Sequence, residues 1–322
     1  MKRFKNILYV ADSSGIVLQA FHHAVGLAER NKARLTVILV MERIPAYLTR
    51  LTSPTLREAQ VKELQATVER LAAWAAGRVE IESRIIEGTP FLEVIRAVLR
   101  NRHDLVIKSV GSDAGAVDWL FGSLDMNLLR KCPCPVWLIK ANGPLPIRRV
   151  MACVDFSDLD HAGADTAEPL NRMVLEMAGS LAFVEQSEFH VVHAWDAIGE
   201  ALMRGTRAGA DEEEVDRYIN EVRLEHRHWL CQLLHKAREW IGLETYDAVD
   251  PKTHVPKGRA SDIIPRLAHE LRIDVLVMGT VARTGIPGLI IGNTAENVLY
   301  RINCSVLAIK PPGFVTPVTL DD

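Results

Sequence analysis

The sequence predicts an α/β protein made of two tandem copies of one five-stranded, parallel-sheet plan. Three observations carry this. At 322 residues the chain is roughly double an ordinary domain of 100–200 residues. Its two halves align with each other at a constant offset. In both halves short apolar runs alternate with stretches of helical periodicity.

The repeat is explicit in the residues. Residues 88–140 overlie 258–310 at a shift of 170, matching Gly88 with Gly258, Arg96 with Arg266, Asp104 with Asp274 and Gly122 with Gly292. Cys134 with Cys304 and Lys140 with Lys310 continue the match. At the front of each half a second shift aligns Ile7 to Ser14 with Val150 to Ser157, so the second copy carries about 27 extra residues between the two blocks. The Gly- and Pro-punctuated segment Ala141 to Ile147 reads as the linker. The expected domains are therefore 1–141 and 148–312, followed by a tail at 313–322.

In the first half, strands are expected near 5–11, 34–41, 79–86, 104–108 and 135–140, with a long middle helix over 55–76. In the second half, the apolar run 149–155 is the first strand, and helical periodicity covers 161–180. Phe189 to Trp195 is the second strand, and Glu212 to Ile241 a long polar helix with apolar positions at Val215, Ile219, Val222, Leu230, Leu233 and Leu234. A strand near 253–255, a helix over 261–272, the strand Asp274 to Met278, a helix after Gly292 and a last strand over 305–310 complete the plan. The near-continuous apolar character of 274–278 is that of a parallel strand covered by helices on both faces.

Composition narrows the function classes. Hydrophobic residues are 48%, charged residues 25%, and Gly plus Pro 35 of 322, which excludes disordered, collagen-like and disulfide-scaffold chains. Net charge is −3, so no global positive field draws the chain to nucleic acid or anionic lipid. The five cysteines, 132, 134, 153, 231 and 304, are odd in number and contain no CxxC pair, which suits a reducing, cytoplasmic setting. Cys132-Pro-Cys134 alone supplies half of a structural zinc set. No run approaches the roughly 20 apolar residues of a membrane span.

In such sheets ligands bind at the carboxyl edge of the strands, beside the first one. The residues there are Asp12 and Asp155 after strand one, and Ser109 with Ser112 or Gly279 with Ala282 after strand four. Gly122-Ser123 and Gly292-Asn293-Thr294 then open a helix, whose amides and dipole suit a phosphate. A competing reading is ordinary capping, with Asn293 and Glu296 forming a capping box and Ser123 capping its own helix above Asp125. The apolar loop 285–291 reads as core packing, with Arg283 as its cation. His226, His228 and His235 lack sequence-fixed acidic or cysteine partners for a metal. The acidic cluster Asp155, Asp158, Asp160 and Asp165 reads as helix capping.

On these residues the chain resembles the universal stress protein family, which carries G-x2-G-x9-G-(S/T) after strand four and an Asp closing strand one. The tandem arrangement, Gly279 to Gly285, Gly292 to Glu296 and Thr316 to Asp322 resemble its E-type branch. The resemblance covers nearly all of both halves. It implies a Rossmann-like sheet of order 3-2-1-4-5 in each half, and pairing of the two last strands, 135–140 with 305–310, as an internal pseudo-dimer.

The resemblance also implies a nucleotide, ATP with Mg, or another anionic small ligand. In the second half it would be held by Asp155, Ala194, Gly279, Ala282, Arg283, Gly292, Asn293 and Thr294. Here Ala282 replaces a glycine and Asn293 the hydroxyl residue. The first-half equivalents, Asp12, Ser109, Ser112, Gly122 and Ser123, depart further. P-loop, dinucleotide, zincin and serine-hydrolase signatures are absent, and no nucleophile is paired with a base. The expectation is thus a stress-response binding or signalling module with a protein partner and a homodimer as open questions. A ligand-free scaffold and a weak ATPase are the alternatives.

Overall fold

A computed structural model describes residues 4–11, 18–43, 54–111, 121–141, 143–156, 164–205, 211–280 and 291–320. In the first half these form β1 Asn6–Ala11, α1 Leu18–Asn31, β2 Arg34–Met41, α2 Pro54–Ala75 and β3 Ile81–Glu87. They continue with α3 Pro90–Asn101, β4 Leu105–Val110, α4 Ser123–Lys131 and β5 Val136–Lys140. The second half has β6 Arg149–Cys153, α5 Ala164–Glu185, β7 Glu188–Val192, α6 Glu200–Met203 and α7 Glu212–Ile241. After these come α8 Leu243–Val249, β8 Lys252–His254, α9 Ala260–Glu270, β9 Val275–Gly279, α10 Asn293–Leu299 and β10 Ser305–Ile309.

Two compact units result: among the described residues, one holds those up to Gly143 and from Ser305 onward, the other those from Pro144 to Cys304. In the first unit the strand order is β3-β2-β1-β4-β5, the expected 3-2-1-4-5. Ile7 on β1 faces Leu35 on one side and Leu105 on the other. β10 then joins β5 antiparallel, Val306 opposite Leu138 and Ala308 opposite Val136. The expected meeting of 135–140 with 305–310 is therefore observed. In the second unit β9-β6-β7-β8 run parallel, with Val150 facing Phe189 and Val275. β1, β4 and β10 are buried throughout, as their predominantly apolar sequences predict.

Repeated residues recur as repeated devices. The Asp104 carboxylate accepts the amides of Lys5 at 2.6 Å and Asn6 at 3.1 Å. Asp274 accepts those of Arg148 at 2.7 Å and Arg149 at 2.9 Å. Each aspartate thus pins the start of strand one beside strand four in its own unit. Arg102 and Arg272, two residues earlier in each copy, both take the left-handed backbone that ends the preceding helix.

One strand is shorter than its apolar run. β7 stops at Val192, but its bonds to the neighbouring strand run on: the His193 amide donates to the His254 carbonyl at 2.9 Å and the Trp195 amide to the Pro256 carbonyl at 3.2 Å, and Trp195 forms a bridge with Lys257. The His193 side chain reaches His226 of α7.

Candidate ligand site

In the second unit β7, β6 and β9 are neighbours, with Cys153 level with Val192 and Met278. The residues just beyond them, Asp155, Ala194 and Gly279, therefore share one carboxyl edge. The Asp155 backbone is clamped by buried Asn171: its amide donates to Asn171 Oδ1 at 3.1 Å, and Asn171 Nδ2 donates to its carbonyl at 2.8 Å. The carboxylate itself is exposed. Gly279 has a packing reason to be glycine, because a Cβ there would meet Leu170 Cδ2 of α5 at 2.6 Å.

α10 begins beside this edge. The Gly292 amide donates to the carbonyl of buried Thr280 at 3.1 Å. Gly292 is the N-cap, and the Glu296 amide donates to the Gly292 carbonyl. The expected capping box on Asn293 is thus corrected: Asn293 is the first helical residue, one place too late to cap, and it and Thr294 remain exposed. Asp12, Ser112, Ala282, Arg283 and the loop 285–290 lie outside the described residues.

The remaining wall is made of rings that the motif does not contain. Phe156, after β6, meets His226 edge-on at 5.1 Å and Trp229 at 5.2 Å, both from α7. His193 Nε2 lies 2.8 Å from His226 Nδ1, and His193 Nδ1 lies 3.3 Å from the Val154 carbonyl. A carbonyl only accepts, so Nδ1 carries the His193 proton and Nε2 accepts from His226 Nδ1. Trp195 stacks on His226 at 5.5 Å and donates its indole N–H to the Val255 carbonyl. Burial holds the His226 imidazole below the ordinary histidine range, with the Glu225 and Asp155 charges pulling the other way. His193 and Trp195 are buried, whereas Phe156, His226 and Trp229 are half-buried. The available signal was the spacing of His226 and Trp229, three apart on one helix face.

The first unit answers the same position differently. The N-cap of α4 is Gly122, not Ser123 as expected, and the Gly122 amide donates to Asp125 Oδ2 at 3.0 Å. Asp125 Oδ1 lies 3.1 Å from Lys108 Nζ, both side chains being under a tenth exposed. Lys108 Nζ also donates to the Ser109 carbonyl at 2.9 Å. The positive helix end and a buried ammonium therefore converge on an internal carboxylate, where a bound phosphate would otherwise be expected. The shift of 170 places Met278 and Ala295 at the equivalents of Lys108 and Asp125, so this pair belongs to one copy only. Its sequence signal was a lysine inside an apolar strand.

Among the described residues no three His, Cys, Asp or Glu side chains gather as a metal-binding group, and no helix is long and apolar enough to cross a membrane.

Strand order, repeat and edge geometry define a tandem, doubly wound α/β protein. The model of the universal stress protein family matches residues 3–140 and 146–310. Universal stress protein E of Escherichia coli K12 is 30% identical over 333 aligned positions, covering 100% of this chain and 99% of that protein. The Universal stress protein E homolog of Haemophilus influenzae is 27% identical, covering 96% and 98%. A crystal structure of a putative universal stress protein from Pseudomonas aeruginosa superposes with a TM-score of 0.64 at 22% identity over 96% of this chain and 94% of that one. One from Archaeoglobus fulgidus gives 0.58 at 15% identity over 94% and 98%. The chain belongs to the universal stress protein family, as a tandem member of the E type.

Proposed function

We propose that this protein is a stress-response module that acts by binding, taking a small ligand with a planar ring and an anionic group, such as ATP, in its second half. The first half serves as structural and interaction partner. The observation that carries this reading is the contrast between the two strand edges. In the first half an internal carboxylate, paired with a buried ammonium, accepts the Gly122 amide at the helix start. In the second half Asp155, Asn293 and Thr294 are exposed, and Phe156, which follows Asp155, packs with half-buried His226 and Trp229. Half-buried rings offer faces on which a base stacks, each stack contributing about 1–3 kcal/mol. An exposed carboxylate accepts hydrogen bonds from sugar hydroxyls. Five free cysteines support a reducing, cytoplasmic setting.

Calorimetric titration with ATP, with and without Mg, tests the reading. Binding is expected for the wild type and for Gly122→Asp, about tenfold weaker binding for Trp229→Ala, and none for Gly292→Asp. The mutual packing of His193, His226, Trp195 and Trp229 favours a second reading, a ligand-free scaffold. No heat and no thermal shift up to millimolar ATP would select it. Phosphate release above a no-protein control would instead place the protein among weak ATPases.

A further inference from the structure

Cys132 and Cys134 sit where α4 hands the chain to β5, and their Sγ atoms are 3.6 Å apart, both residues buried. Cys132 is the C-cap of α4, its amide donating to the Leu128 carbonyl. A helix C-terminus disfavours an anion. Lys310 offsets this: its buried ammonium donates to the last-turn carbonyls of Leu129 and, at 3.4 Å, Arg130. Lys310 directly follows β10, so a strand from the second repeat brings a positive charge to a dithiol of the first.

We propose that Cys132 and Cys134 form a reversible dithiol–disulfide switch oxidised by hydroperoxides, with Cys132 as the attacking thiol and Cys134 as the resolving one. The Cys132 thiolate attacks one oxygen of the peroxide; an S–O bond forms, the O–O bond breaks, and the departing hydroxide takes up a proton to leave as water. The Cys134 thiol then attacks the sulfenic sulfur; the S–S bond forms, the S–O bond breaks, and a second water leaves with the thiol's proton. Two thiols and one hydrogen peroxide become one disulfide and two waters, the sulfurs losing the two electrons that the peroxide gains.

Geometry makes the pair, and charge assigns the roles. Residues two apart in extended chain are separated by about 6.6 Å, inside the span a disulfide bridges, and the sulfurs need only close from contact to a bond of about 2.0 Å. Burial opposes ionisation of Cys132, yet the hydrogen bond from Cys134 and the Lys310 charge outweigh it and hold that thiol below its ordinary range. The same hydrogen bond, followed by burial, pushes Cys134 up. Burial lowers Lys310 to about 8, while Cys132 draws it upward. Burial restricts the reaction to small oxidants and separates it from that of exposed Cys231.

The test treats the full-length protein with hydrogen peroxide, alkylates it in denaturant and maps tryptic peptides. Cys132 to Lys140 is a single tryptic peptide holding both thiols. It is expected unalkylated and about 2 Da lighter, and doubly alkylated again after dithiothreitol. In Cys134→Ser the reaction should stop at a sulfenic acid that dimedone traps on Cys132, and Cys231→Ser should leave the disulfide yield unchanged. Lys310→Met, with its fold verified by circular dichroism, should oxidise at least about fivefold more slowly. A doubly alkylated peptide at peroxide concentrations that oxidise Cys231 would overturn the proposal; a wild-type rate in Lys310→Met would overturn the assignment of Cys132 as attacking thiol.

Discussion

Lys108 shows how one residue separates the two halves. It interrupts the buried strand β4 with a polar side chain, and Asp125 partners it at 3.1 Å with its other oxygen on the Gly122 amide. Taking one partner from a buried pair leaves a desolvated charge and costs about 3–5 kcal/mol, whereas replacing both with apolar groups is often neutral. Lys108→Met alone should therefore destabilise the protein by about 3 kcal/mol. Adding Asp125→Ala, which completes the second half's own Met278 and Ala295 combination, should restore most of the loss. Urea unfolding of the single and double variants checks this; an equally unstable double variant would count against the pair. At this scale the sequence displayed the lysine but not its partner, because 17 residues separate 108 from 125 and only the fold brings them together.

At the scale of elements, periodicity located most helices and strands. α7 spans Glu212–Ile241, matching the polar run read from sequence; of its expected apolar positions Val215, Leu230, Leu233 and Leu234 are buried, with Ala237 and Ile241, while Ile219 and Val222 are half-buried. β7 ends at Val192, yet the backbone bonds of its apolar run continue, from the His193 amide to the His254 carbonyl and from the Trp195 amide to the Pro256 carbonyl, while the His193 side chain joins His226. β10 is the element whose role depends most on pairing. Its Val306 is fully buried and opposite Leu138, and the pairing covers what would otherwise be the β5 edge. Val306→Asp places an unpaired carboxylate in that ladder and should cost more than about 4 kcal/mol. An unchanged thermal unfolding midpoint would show that the β5–β10 pairing is dispensable.

For the whole molecule, the histidines set the acid limit. His22, His23, His103, His190, His226 and His254 are all held below the ordinary range, burial being the leading cause in each. A base whose folded pKa is depressed binds protons more readily when unfolded. Its stabilising contribution is therefore complete above the unfolded value and is lost as pH falls toward the folded one. For His23, whose imidazole packs edge-on against Trp137, the window runs from 6.5 down to about 4, a loss of roughly 3 kcal/mol. Stability should thus decline from pH 7 to pH 4.5, and His23→Phe should flatten the decline. Urea midpoints across that range measure it; an unaltered slope in the variant would remove His23 from the account.

The sequence by itself determined the tandem plan, the linker, the strand order implied by family resemblance and the carboxyl edge where Asp155, Ala194 and Gly279 stand. Those features rest on local periodicity and on a repeat, which are visible in one dimension. Tertiary structure decided what each edge contains: an internal Lys108–Asp125 pair in one half and a ring cluster of Phe156, His193, His226 and Trp229 in the other. It also decided that Lys310 reaches the last turn of α4, next to Cys132. Charge pairing, ring packing and thiol proximity act over a few ångströms between residues distant in sequence, and only the folded chain sets those distances.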